Sequence, residues 1–213
     1  MKPLIISDLD GTLVNIMDEV LEMIWRHFNI AVRPEDVRQY DVAAALHPLL
    51  TNEHASQDVL AAWLVENAWT NRWLYEVAKP YWDIHAAYQK AMSVADIAFC
   101  TGRPGTDDVE EATLEWLSAW GYDNCDCYFA SSFAPGKAGV VDEILDSDKR
   151  PLWIVEDDVE AARMMEEAIR ETDWPYKVLI VDRPWTKDTR IEMRPGWHPA
   201  ENIGSLLEEE AAR

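Results

Sequence analysis

Five short apolar runs set the terms for any fold this chain can adopt. Residues 3–7, 95–100, 127–130, 152–155 and 177–181 gather mostly apolar side chains and lead into polar segments. Runs of this length, bounded by turn residues, predict buried strands. The segments between them predict helices. In residues 106–120, Val109, Ala112, Leu114, Leu117 and Trp120 recur near helical spacing, and Gly121 stops the run. Residues 137–145 and 159–170 read the same way. Strands alternating with helices build a parallel sheet covered on both faces, so the expected class is α/β and Rossmann-like. Such sheets carry their chemistry beyond the carboxyl ends of the strands, which makes the loops after these runs the informative ones.

One interval is out of proportion. More than 80 residues separate the first run from the second, far beyond the need of a single crossover helix. Residues 14–28, 34–45, 55–69 and 73–78 look helical, with breaks at 29–33, near Pro48 and around Asn71. Residues 82–92 can serve as the crossover helix itself. The pattern predicts a small helical domain, residues 15–79, inserted into an α/β core formed by residues 1–14 and 80–213.

Composition narrows the function classes. The 213 residues carry 40 Asp plus Glu against 19 Lys plus Arg, a formal net charge of −21, yet 48% are hydrophobic and can furnish a sizeable core. Such acidity argues against duplex nucleic acid and anionic lipid as partners, while a small anion can still be met by a local cation. Cys100, Cys125 and Cys127 form neither a disulfide framework nor a four-ligand zinc site, and a reducing compartment is the simplest reading. The chain begins with an apolar run too short for a signal peptide, and no apolar stretch approaches the roughly 20 residues of a membrane span. The expectation is a cytoplasmic protein with no membrane partner. Oligomeric state is not legible. The five histidines are scattered without metal-ligand spacing, and Glu208, Glu209 and Glu210 read as a solvated helix end.

The first run leads directly into Asp8-Leu9-Asp10-Gly11-Thr12-Leu13. In extended geometry Asp8 and Asp10 project the same way, and Gly11 permits a sharp turn. Two carboxylates this close repel unless a cation or proton separates them, although an acidic helix cap is the blander use of such residues. The second run ends in Thr101-Gly102-Arg103-Pro104, where a hydroxyl and backbone N–H groups can meet phosphoryl oxygens, or where Gly and Pro simply end a strand. Pro135-Gly136-Lys137-Ala138-Gly139 puts a lysine at a helix start, a place that disfavours a cation unless an anion is its partner. After the fourth run, Glu156-Asp157-Asp158 offers a magnesium ligand or an acidic helix start.

Taken in order, the strings DLDGT, CTGR, PGKAG and IVEDD resemble the haloacid dehalogenase (HAD) superfamily. The helical insertion after the first motif resembles that family's C1 cap. The resemblance implies that Asp8 is a nucleophile toward phosphorus and Asp10 a general acid and base, with an aspartyl-phosphate intermediate. It implies that Thr101, Gly102 and Lys137 bind the phosphoryl group, that Arg103 touches substrate, and that Mg2+ is held by Asp8, the Asp10 carbonyl and Asp157, helped by Glu156 or Asp158. An Asp at position 10 favours phosphatase over dehalogenase.

The segment Val181-Asp182-Arg183-Pro184-Trp185, followed by Arg194-Pro195-Gly196-Trp197, is similar to the tails of 5'(3')-deoxyribonucleotidase-like members. The Gly-Arg after Thr101 is instead similar to the phosphatase domains of polynucleotide kinases. The implied partner is a small phosphorylated substrate, with a nucleoside monophosphate first, and a polynucleotide 3'-phosphate or a sugar phosphate as alternatives. A catalytically idle binding protein is the non-enzyme alternative. Trp63, Trp69 and Trp73 either stack a base or fill an apolar core. Arg183, Arg190 and Arg194 either meet the anion or compensate neighbouring acids.

Overall fold

The computed structural model describes residues 2–49, 56–131, 134–147, 152–170, 175–187, 197–199 and 203. Eight strands are present among these residues: β1 (Leu4–Ser7), β2 (Val14–Asn15), β3 (Lys79–Pro80), β4 (Asp96–Thr101), β5 (Asp126–Phe129), β6 (Leu152–Glu156), β7 (Tyr176–Ile180) and β8 (Trp197–Pro199). Six form one parallel sheet in the order β5-β4-β1-β6-β7-β8. The five expected strands are all there, shifted by no more than a residue or so at their ends. The sixth, β8, lies in a Pro- and Gly-containing segment and is too short to leave a periodic signal.

Side-chain alternation along the strands separates two apolar layers. Leu4, Ile6, Ala98, Cys100, Ile154 and Val178 pack with α7 (Ala134–Ser147) and α8 (Val159–Arg170), through Val141, Ile144, Met165 and Ile169. Ile5, Phe99, Trp153 and Val155 belong to the other layer. That layer includes α5 (Trp82–Ala91) and α6 (Asp107–Ala119), through Ile84, Tyr88, Val109 and Trp116. Each layer consists of fully buried aliphatic and aromatic groups, roughly 1.5–3 kcal/mol apiece by transfer.

The long interval between β1 and β4 contains β2 and β3, which pair antiparallel with Val14 opposite Pro80 and Asn15 opposite Lys79. Between them lie α1 (Met17–Phe28), α2 (Val42–Leu46), α3 (Gln57–Leu64) and α4 (Arg72–Val77). Val20, Ile24, Leu46, Leu60, Leu64 and Leu74 from these helices are buried together, in one cluster with Leu9 and Leu13. Residues 34–45 are not the single helix expected. Pro34–Asp36 is one 3-10 turn, Val37 turns extended and buries its side chain, and the Asp41 carboxylate caps the Ala44 N–H, so that α2 starts afresh at Val42. No helix among the described residues is long and apolar enough to cross a membrane. The Glu208 to Glu210 run, Arg190 and Arg194 lie outside the described residues.

Candidate active site

Parallel register brings three strand ends level, with Ser7 of β1 opposite both Phe99 of β4 and Val155 of β6. The residues expected at the site, Asp8, Asp10, Thr101, Gly102, Arg103, Lys137 and Asp157, accordingly line one cleft of about 800 Å³.

At its floor Asp8 is buried, as are Lys137 and Glu156. Lys137 Nζ donates to Asp8 Oδ1 at 2.6 Å and to the Glu156 oxygens at 2.9 and 3.1 Å. Its early position in α7 is thus compensated by two carboxylates, which reach it from β1 and β6. Burial would lower the Lys137 pKa, but Asp8 and Glu156 hold it well above its ordinary value.

Asp157 is gripped from two sides. Thr12 Oγ1 donates to its Oδ1 at 3.0 Å and Trp185 Nε1 to its Oδ2 at 2.8 Å. Gly11 passes so close, at φ +86°, that a Cβ there would overlap the Asp157 carboxylate. Behind this turn, buried Arg183 donates Nε to the Gly11 carbonyl at 2.6 Å and Nη2 to the Thr12 carbonyl at 2.9 Å. Its guanidinium lies 3.5 Å from the Tyr81 ring centroid. Arg183 therefore neither faces the cleft nor serves as a surface charge; it clamps the loop that carries Asp10.

Asp10 has its own clamp. Arg103 donates Nη2 to Asp10 Oδ1 at 2.5 Å and Nε to Oδ2 at 2.9 Å. Its Nη1 donates to Thr113 Oγ1 at 3.0 Å, and its Cζ lies 4.3 Å from the Tyr75 centroid. Arg103, expected at the substrate, lines the cleft but directs its donors to Asp10 and Thr113. Thr101 Oγ1 accepts the Arg103 backbone N–H at 3.2 Å. Asp158 accepts the Glu160 N–H at 2.9 Å at the start of α8, a capping use of the residue.

Carboxylate oxygens of Asp8, Glu156 and Asp157 lie within 4.8 Å of one another. Burial and mutual repulsion act together here. Asp157 is pushed up to about 8 by burial and then by Asp8, and Glu156 is raised for the same reasons. Asp8 is raised by burial, against the pull of Lys137. Fully ionised, three carboxylates facing one ammonium would carry an excess of two negative charges, and every donor is a hard oxygen. This set fits a divalent cation such as magnesium.

Comparison with solved structures gives 45 matching chains. A haloacid dehalogenase-like hydrolase from Streptococcus pneumoniae superposes with a TM-score of 0.60 at 14% identity, over 98% of both chains. The fold is that of the haloacid dehalogenase superfamily. Magnesium-bound HAD-hydrolase YfnB from Bacillus subtilis gives 0.56 at 14% identity, over 98% of this chain and 99% of that one. L-2-haloacid dehalogenase from Xanthobacter autotrophicus gives 0.53 at 15% identity, over 99% of both. No family model and no curated protein matches the chain.

Within this HAD fold, several residues of the site carried no advance signal for their roles. Glu156, expected to help only indirectly, contacts Lys137 itself. Thr12 and Trp185 stood inside recognised strings, but their grip on Asp157 depends on loops joined only by folding. Of Trp63, Trp69 and Trp73, Trp69 lines the cleft; Trp63 stacks on His27 with centroids 4.8 Å apart, and Trp73 is exposed.

Proposed function

We propose that this chain is a magnesium-dependent phosphomonoesterase of the HAD type, acting on a small phosphate ester, with nucleoside monophosphates first among the candidates. The observation that carries the reading is the buried trio Asp8, Glu156 and Asp157 around Lys137, an anionic pocket that needs a divalent cation before a phosphate can enter it. Magnesium held by Asp8, Asp157 and the Asp10 carbonyl, with Glu156 beside them, would neutralise charge on the phosphoryl oxygens.

The protein groups then have distinct tasks. An Asp8 carboxylate oxygen attacks phosphorus, the ester P–O bond breaks, and Asp10 gives its proton to the departing alkoxide. Asp10, again a carboxylate, takes a proton from water, which attacks phosphorus, breaks the P–O bond to Asp8 and releases inorganic phosphate. Lys137, Thr101 Oγ1 and the backbone at Gly102 hold the phosphoryl oxygens. Residues 15–79 act as the cap that covers the reaction from water.

Solved structures of similar fold include dehalogenases, which makes halide displacement the competing chemistry. It is disfavoured because Asp10, an acid and base suited to an alcohol leaving group, would have no proton to give a departing halide. An idle binding protein is disfavoured by the complete set of Asp8, Asp10, Thr101 and Lys137. Hydrolysis of an aryl phosphate with and without magnesium tests the proposal. Activity should require the cation and vanish in Asp8→Asn; cation-independent turnover would refute it.

A further inference from the structure

The cleft that holds Asp8 is also lined by Ile16, Met17, Leu64, Val65, Trp69 and Phe129, and over the whole of it apolar surface is well in excess of polar. Val65 and Trp69 begin and end a π-helical turn, Val65–Trp69, that follows α3. Such turns are rare and concentrate at functional sites. Thr70 Oγ1 donates to the Val65 and Glu66 carbonyls at 3.3 and 3.2 Å, and Tyr75 Oη donates to the Trp69 carbonyl at 2.8 Å. The turn is thereby held with both apolar residues on the cleft, even though Val65 is 56% exposed.

Charge supplies an independent observation. Among the described lining residues the cations are Lys137 and Arg103, which are hydrogen-bonded to Asp8, Glu156 and Asp10. Asp41, Glu110 and Asp158 add further negative charge around the same opening. A second anionic group on a substrate would meet repulsion from these acids, and among the described lining residues no further cation receives it. The volume of about 800 Å³ is ample for a body of nucleoside size.

We infer that the cleft selects a phosphomonoester with one phosphate and an uncharged, ring-bearing alcohol, packs the ring against Trp69 and Val65, and rejects esters bearing a second phosphate or a carboxylate. This rests on the phosphomonoesterase reading and adds the sorting rule to it. Nucleoside monophosphates and plain aryl phosphates satisfy the rule; nucleoside diphosphates, sugar bisphosphates and phosphorylated acids do not.

The test separates binding from turnover. Calorimetric titration of the magnesium-loaded protein with benzylphosphonate, methylphosphonate and phosphonoacetate compares a ring, a methyl and a second anion on one phosphonate. Benzylphosphonate should bind about tenfold tighter than methylphosphonate, and phosphonoacetate no tighter than methylphosphonate. Trp69→Ala should erase the ring preference. Val65→Arg, at an exposed position that leaves the core intact, should tighten phosphonoacetate selectively. Equal binding of ring and methyl probes, tighter phosphonoacetate in the unmodified protein, or a ring preference that survives Trp69→Ala would overturn the inference while leaving the phosphatase reading in place. Failure of all three probes to bind would overturn both.

Discussion

Arg103 holds Asp10 in a bidentate pair, with donor distances of 2.5 and 2.9 Å, while its own side chain is completely buried. The fork is anchored from behind by Thr113 of α6 and by the Tyr75 ring of α4. Asp10 therefore has its orientation imposed by the second strand-end motif, and a carboxylate that serves as acid and then base gains most from fixed geometry.

Replacing that fork should damage turnover more than binding. Arg103→Met is expected to lower kcat by about 10²-fold, the low end of a general acid–base contribution, with little change in KM. Arg103→Lys, which keeps the charge but loses the fork, should recover part of the loss. Steady-state kinetics on an aryl phosphate separate the two parameters. A pure KM effect would place Arg103 on the substrate instead.

Gly11 cannot accept a side chain. Gly11→Ala forces a left-handed conformation that costs about 1–2 kcal/mol, and its Cβ also displaces the Asp157 carboxylate. Urea unfolding should show the lost stability. Activity titrated with magnesium should show a raised half-saturating concentration.

Arg183 acts on the backbone of the loop that carries Asp10. Arg183→Met removes its two charge-assisted bonds to the Gly11 and Thr12 carbonyls, and should cost about 2 kcal/mol in urea unfolding. The affinity for phosphonate should survive better than kcat, because Asp10 follows this loop while Lys137 does not.

Stability of the metal-free protein should fall as pH rises. Burial lifts Asp157 from an ordinary 3.8 to about 8, so between those values the folded state binds more protons than the unfolded one. The stabilisation is complete below the unfolded pKa and disappears as pH passes about 8. Glu156 and Asp8 are raised too and act in the same direction. Thermal unfolding without divalent cations should therefore show a melting temperature that declines from pH 4 toward 8. Magnesium should restore it, most strongly at the alkaline end. Asp157→Asn should flatten both dependences; an unchanged slope in that variant would remove Asp157 from the account.

How far the sequence foretold all this depended on the range of the signal. Strands such as Leu152–Glu156 are apolar, and the site strings sit directly at strand ends, so local pattern and topology together implied their meeting. Contacts between distant segments were hidden. Arg183 lies 172 residues from the Gly11 carbonyl it holds, and nothing in VDRPW says that its partner is backbone rather than substrate. In the run Glu156-Asp157-Asp158 only the family resemblance singled out Asp157, and it left Glu156 and Asp158 interchangeable; folding sends Glu156 to Lys137, Asp157 to Thr12 and Trp185, and Asp158 to a helix cap. The expected helix over residues 34–45 breaks at Val37, where the chain turns extended and the side chain is buried, and a helix restarts only at the Asp41 cap.

Asp8 should become phosphorylated in each turnover. Acid quenching of the magnesium-loaded protein during hydrolysis of an aryl phosphate, followed by mass spectrometry of its peptides, tests this directly. One phosphoryl group is expected on the peptide containing Asp8, lost with time as phosphate is released and absent from Asp8→Asn. Turnover with no phosphoryl group on Asp8, or with the group on another residue, would contradict it.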